Sequence, residues 1–149
     1  MFTESVAFKG KVNIIHLDQF GNTKDERNID NLVVTTGKTF IASRMAGNTI
    51  PLMTKMGVGT SSTGAVIGDT SLGAAIAAGN VTLDSTTAST NTITYVATFP
   101  AGTGTGAITE AGIFNGFPGV GSMLCRTVFS VVNKGAGDVI VITWVVSVS

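Results

Sequence analysis

The apolar residues of the last third of the chain recur with a period of two, which is the pattern of β-strands. In Val139–Val148 the even-numbered residues share one face, and all of them are apolar: Ile140, Ile142, Trp144, Val146 and Val148. The odd-numbered residues of the other face, which begin at Val139, are apolar up to Val145 except for Thr143. Such a strand either is covered on both sides or has an outer face that meets another subunit.

Two further apolar runs precede this strand, at residues 107–114 and 123–132. Gly, Pro, Asn and Asp dominate the segments between the three runs. Short connections of this composition between apolar runs predict consecutive antiparallel strands.

The first half of the chain predicts further strands. Residues 5–17 and 23–29 form an expected hairpin around a turn at residues 18–22, where Gly21 and Asn22 tolerate a positive φ. Other strands are expected at residues 50–58, 80–89 and 91–99, and residues 59–70 form a long polar loop. Residues 71–78 fit either a short helical turn or an apolar strand.

One helix is predicted, at residues 37–46, with Thr35 or Thr36 as its N-cap and Gly47 after its end. A helix of this length is marginal on its own, so it must dock an apolar face on the sheet. The residues of that face are Phe40, Ile41 and Met45.

These elements predict a mainly β fold: an antiparallel two-layer β-sandwich, jelly-roll-like, with seven to nine strands and one short α-helix near residues 37–46. Residues 1–30 are expected to form an N-terminal arm or hairpin that serves as an attachment segment. Residues 31–149 form the expected β-sandwich domain.

The charges of the 149-residue chain balance, with nine basic and nine acidic residues, so no attraction to nucleic acid is indicated. Residues 56–149 hold only Arg126, Lys134 and four acidic residues. A surface this poor in charge is typical of a protein that works in an assembly. The chain has no long apolar stretch and no signal-peptide pattern at its start, so we expect a soluble chain that is neither secreted nor membrane-bound.

The residues that could carry chemistry are few. The sequence around Gly37 and Lys38 ends like a phosphate-binding loop, but Leu32 stands where the motif needs its first glycine. His16 is the only histidine, and Cys125, the only cysteine, lies in an apolar run and is expected to be buried. We therefore assign no catalytic, cofactor-binding or metal-binding residue, expect no cofactor, and do not expect an enzyme.

Glu110 is the one unusual carboxylate, because it lies inside an apolar run. We favour a solvent-facing or backbone-bonded side chain, since most lone carboxylates in proteins are exposed. The alternative hypothesis is a buried acid that bonds Arg126 or loop amides and fixes the position of its strand.

A series of segments in a fixed order resembles a family of structural proteins from tailed bacteriophages. The segments are NLVVTTG at residues 31–37, MGVGT at 56–60, DTSL at 69–72, ITYVATF at 93–99, GTGAITEAGIFN at 104–115, MLCRTVF at 123–129, VNKG at 132–135 and VITW at 141–144. Members of the family are small head decoration (cement) proteins, and related segments occur in tail-fibre or neck-associated proteins. The resemblance implies a β-sandwich-type fold and, commonly, trimers.

The expected function is therefore that of a capsid decoration protein. It would bind the outer surface of the phage head as a homotrimer and stabilise contacts between subunits of the major capsid protein. The basic residues of the first 30, which include Lys9, Lys11, Lys24 and Arg27, are expected to face the capsid. A tail, neck or short tail-fibre adaptor is the alternative, and a small host-modifying enzyme is a third hypothesis.

Overall fold

The computed structural model describes residues 4–116 and 121–149. Within these residues the chain forms nine strands and one helix. They are β1 (Phe8–Leu17), β2 (Thr23–Val33), α1 (Thr35–Met45), β3 (Lys55–Gly59), β4 (Ala75–Thr82), β5 (Ser85–Ser89), β6 (Thr92–Phe99), β7 (Gly106–Phe114), β8 (Met123–Lys134) and β9 (Val139–Val148).

All nine strands belong to one antiparallel sheet with the order β4-β3-β7-β8-β2-β1-β9-β6-β5. Most of β2 pairs with β1, whereas only Leu32 and Val33 at its end pair with β8. This short pairing joins the two halves of the sheet. The sheet is curled, and the inner faces of its two halves pack against each other.

The core lies between these two halves of the curled sheet. Side chains from β1, β6 and β9 pack in one cluster with side chains from β3, β7 and β8. Trp144 of β9 and Ile113 of β7 have no exposed surface, and Phe99 of β6 is also fully buried. Burial of each such side chain contributes about 1.5–3 kcal/mol. The core therefore depends on the inner face of β9, one of the two faces that the sequence shows to be apolar.

The predicted mainly β, antiparallel fold with one short helix is confirmed, and the three C-terminal runs are β7, β8 and β9. Three strand boundaries were wrong, and one of them is the end of β2, which lies at Val33 and not at residue 29. The strand expected at residues 50–58 begins only at Lys55, and the strand expected at residues 80–89 is interrupted at residues 83 and 84. The interruption arises because β4 pairs with β3, whereas β5 pairs with β6. Residues 71–74 precede β4, which starts at Ala75, so the strand alternative holds for the second half of residues 71–78.

Helix α1 lies where the sequence predicts it but begins and packs differently. Val34 is its N-cap residue and makes no side-chain cap bond, while the hydroxyl of Thr36 donates to Met123 O at 2.7 Å. The expected threonine cap is therefore wrong. Phe40 and Ile41 pack against the core as expected, but the Met45 side chain is 82% exposed, so its docking is also wrong.

The N-terminal hairpin is built into the sheet. Strand β1 lies between β2 and β9, pairs with β9 over ten positions, and contributes Val12 and Ile14 to the core. The outward residues of β2 are exposed and mostly charged, as its composition indicates. Residues 1–3 lie outside the described residues, and the attachment role of residues 1–30 stays a prediction.

Candidate functional site

The carboxylate of Glu110 lies fully buried in β7 and is the centre of a hydrogen-bonded cluster. Its Oε1 accepts from the amides of Ser61 at 3.2 Å and Ala74 at 2.7 Å. Its Oε2 accepts from the amide of Gly73 at 2.9 Å and from Arg126 Nε at 3.0 Å. Arg126 Nη2 lies 2.8 Å from the same oxygen. The negative charge is thus paired with a guanidinium and solvated by backbone amides.

The other side of the Arg126 guanidinium extends the cluster into the long loop at residues 60–74. Its Nη1 donates to Asp69 Oδ2 at 2.9 Å, and its Nη2 donates to Thr63 O at 3.0 Å. Asp69 in turn accepts from the amide of Val66 at 2.9 Å. The loop is therefore attached to the sheet by ionic and backbone hydrogen bonds at several points along its length.

This geometry decides between the two hypotheses for Glu110. The solvent-facing orientation is wrong, and the buried acid that bonds both Arg126 and loop amides is confirmed. The close packing of this cluster also explains the glycine at position 59. A Cβ on Gly59 would collide with Glu110 Oε1 and with Ala74 O. Gly59 thus permits a close approach of the backbone to the Glu110 carboxylate and to Ala74.

A second carboxylate cluster surrounds Asp138 in the turn between β8 and β9. Asp138 Oδ2 accepts from the amide of Gly135 at 2.8 Å and from Lys24 Nζ at 3.1 Å, and His16 Nε2 lies 2.8 Å from it. The hydrogen bond from Gly135, followed by those from His16 and Lys24, holds the pKa of Asp138 well below its usual range. The cluster ties the end of the β1–β2 hairpin to the β8–β9 turn.

The sequence did not reveal this second cluster, because His16 and Asp138 are 122 positions apart. The signal that was present is the position of His16 two residues after Ile14. This spacing puts a polar ring on the inner face of β1, where a buried polar group needs a partner.

The other residues that the sequence analysis considered for chemistry are Cys125, Lys38 and Gly37, and each has an ordinary structural setting. Cys125 is buried as expected, and burial raises the pKa of its thiol well above the usual value. Lys38 is exposed, as expected for a helix residue in contact with solvent. A Cβ on Gly37 would collide with Leu124 O, so the glycine of the GKT segment allows α1 to approach the β8 backbone.

The outer face of β9 is apolar and retains partial exposure. Strand β1 adds two apolar residues to this face and β6 adds one, and the pairing places Ile15 opposite Val141. We call these residues the outer patch: Ile15, Leu17, Val96, Val139, Val141 and Val145. The sequence left two alternatives for β9, a strand covered on both sides or one with an exposed outer face. Within the described residues the side chains of the outer patch are only partly buried, so the outer face is not fully covered.

Charged and amide side chains border the outer patch on the side of β2. Lys11 Nζ lies 3.2 Å from Asp30 Oδ1, and Asn13 Nδ2 donates to Glu26 Oε1 at 3.0 Å. All of these side chains lie on the outer face of the hairpin. An apolar centre with a polar border is the usual composition of a protein–protein interface.

A second apolar surface is a groove of about 690 Å³ between α1 and the adjacent ends of β1, β6 and β9. Phe40, Ile41 and Met45 line it from the helix, and Leu52 and Met53 line it from the segment after the helix. Leu52 is 58% exposed.

No helix among the described residues is long and apolar enough to cross a bilayer. Within residues 4–116 and 121–149, no three His, Cys, Asp or Glu side chains converge in a geometry that could hold a metal ion. Comparison of the chain with protein-family models, with curated proteins and with solved structures finds no match.

Proposed function

We propose that this protein is a structural component of a tailed-bacteriophage particle, a head decoration protein that binds the outer surface of the capsid. In this role it joins neighbouring subunits of the major capsid protein through the outer patch and acts as a homotrimer. The order of the segments that resemble phage virion proteins suggests the particle. The outer patch supplies the physical basis for binding.

The observation that carries the proposal is the composition of β9. Its outer residues Val139, Val141 and Val145 are as apolar as its inner ones, yet they stay partly exposed in the single chain. Contiguous apolar surface on a soluble chain commonly marks a protein–protein contact, because its burial removes apolar area from water.

The two carboxylate clusters support a role in which the chain bears load. Glu110 attaches the loop of residues 60–74 to the sheet, and Asp138 attaches the end of the β1–β2 hairpin. Both fix connections that would otherwise move independently of the sheet. A protein that stabilises a shell gains from this rigidity, because a chain whose connections are fixed loses less conformational entropy when its outer patch binds.

The experiment that tests the proposal is the copy number of the chain in purified virions, measured by quantitative mass spectrometry against the major capsid protein. A head decoration protein should be present at close to one chain per major capsid subunit. A ratio tens of times lower would contradict the proposal and favour a tail, neck or short-fibre adaptor. Absence of the chain from the particle would contradict both.

A further inference from the structure

An exposed aromatic side chain and an apolar groove lie at opposite ends of β1. The turn at residues 18–22 carries Phe20, whose side chain is 79% exposed. The groove lies at the other end, where Phe8 is one of its lining residues. Insertion of this side chain into an apolar site would remove its apolar surface from water, which is favourable.

Hydrogen bonds fix the turn that carries Phe20. Asp18 Oδ1 accepts from the amides of Phe20 at 2.8 Å and Asn22 at 2.9 Å. The amide of Asp18 donates to Asn22 O at 2.8 Å, and Gly21 supplies the positive φ of 82° that closes the turn. The backbone therefore holds Phe20 outward in one position.

The Asp138 cluster supports this turn from behind. Its partners His16 and Lys24 lie on the two strands directly before and after the turn. The side chain of Gln19 in the turn also lies close to Gly137 of the β8–β9 turn. A Cβ atom added to Gly137 would lie 3.2 Å from Gln19 Oε1. The hairpin end is thus anchored, and little conformational entropy is lost when it inserts into a partner.

The groove has the chemistry to receive such a side chain. Its volume of about 690 Å³ lies within the range of protein sites that enclose a ligand. Met45 and Met53 line it, and flexible thioethers adapt to an inserted ring and make favourable contacts with it. Arg44 also lines the groove, whereas Asp18 is adjacent to Phe20, so opposite charges would meet at the edge of the contact.

The turn of one molecule cannot reach the groove of the same molecule. The ten residues of β1 separate them, and an extended strand of this length spans about 30 Å. Because β1 is paired on both sides, it cannot bend to bring its ends together. Any contact between Phe20 and the groove therefore joins two molecules.

We infer that the protein self-associates head to tail, with Phe20 of one copy inserted into the groove between α1 and the sheet of the next copy. Each copy then uses one turn and one groove. Such a heterologous contact closes into a ring when its rotation allows. The expected ring of three rests on the proposed function, whereas the contact itself rests on the turn and the groove.

The test is the mass of the full-length protein in solution, measured by sedimentation and native mass spectrometry, for two variants and their mixture. Phe20→Asp removes the inserted ring and leaves the groove intact, whereas Leu52→Asp charges the groove and leaves the turn intact. Both positions are exposed, so both variants should fold. The wild type should have three times the chain mass of 15.2 kDa, and each variant alone should be a monomer.

The equimolar mixture of the two variants gives the decisive result. It should form dimers and nothing larger, since only one intact turn and one intact groove are available per pair. The control Val131→Asp, which changes an exposed apolar residue of β8 outside both surfaces, should keep the wild-type mass.

Three results would overturn the inference. The first is a wild type that stays monomeric at high concentration, and the second is a variant that keeps the wild-type mass. The third is a small apolar molecule that co-purifies in the groove of a monomer. Each of these results leaves the copy number in virions as an independent measure of the proposed function.

Discussion

Both faces of β9 are largely apolar, but their surroundings differ. Ile140, Ile142 and Trp144 on the inner face are buried between the layers of the sheet, whereas Val141 and Val145 on the outer face stay partly exposed. Folding of one chain therefore leaves part of the apolar surface of the outer face accessible. Under the proposed function this accessible part makes the contact, so substitutions on the two faces should have separable effects on folding and on binding.

The largest effect on folding is expected from Trp144→Ala on the inner face. Trp144 has no exposed surface, and removal of a buried tryptophan side chain costs about 3–5 kcal/mol. Denaturant unfolding of the purified protein measures the loss. The matched control Thr143→Ala, one residue away on the outer face, should change the free energy of unfolding by no more than about 0.5 kcal/mol. Equal losses for both variants would contradict the assignment of the two faces.

A somewhat smaller loss is expected from Glu110→Gln. The variant leaves Arg126 buried without its nearest carboxylate, and breaking a buried ion pair costs about 3–5 kcal/mol. We expect the lower end, about 3 kcal/mol, because Asp69 still pairs with the guanidinium. The control is Glu26→Gln, which alters an exposed carboxylate that bonds Asn13. A Glu110→Gln variant with the same melting temperature as the wild type would show that the cluster does not stabilise the fold.

A pH-dependent effect is expected from Asp138→Asn. The pKa of Asp138 is lower in the folded protein than in the unfolded chain, so its ionised form stabilises the fold at neutral pH. This contribution begins to fade as the pH falls towards the unfolded value of about 4, and it is lost as the pH falls through the folded value. Melting temperatures should therefore differ between wild type and variant at pH 7 and converge at acidic pH. A difference that stays constant or grows as the pH falls would contradict this.

The smallest effect on folding, but a complete effect on binding, is expected from Val141→Lys on the outer face. Because this position is only half-buried, the free energy of unfolding should change by less than about 1 kcal/mol. A charge at the centre of the outer patch should nevertheless prevent incorporation into the particle, since it would be buried there without a partner. The measurement is the copy number in virions assembled with the variant.

The sequence predicts well what short-range periodicity determines. The alternation in Val139–Val148 identifies β9 and both of its apolar faces, and the turn residues identify the β1–β2 hairpin. The period of two needs only neighbouring positions, so these predictions did not depend on knowledge of the tertiary structure.

Features that depend on distant partners could not be predicted in the same way. The division between β4 and β5 follows from pairing with β3 and β6, and the burial of Glu110 follows from loop amides that lie 36 to 49 positions away. The exposure of Met45 has the same origin. A helical pattern places Met45 beside Ile41, but only the tertiary structure shows that Ile41 packs against the core and that Met45 is exposed.

The most direct test of the central claim is the binding of the purified chain to phage heads from which it has been removed. Wild-type protein and Val141→Lys would be added in equal amounts, and the chains bound per major capsid subunit would be counted after the heads are pelleted. We predict close to one wild-type chain per subunit and almost none of the variant. Equal binding of both proteins would show that the outer face of β9 does not make the contact, and no binding of the wild type would contradict the role in the head.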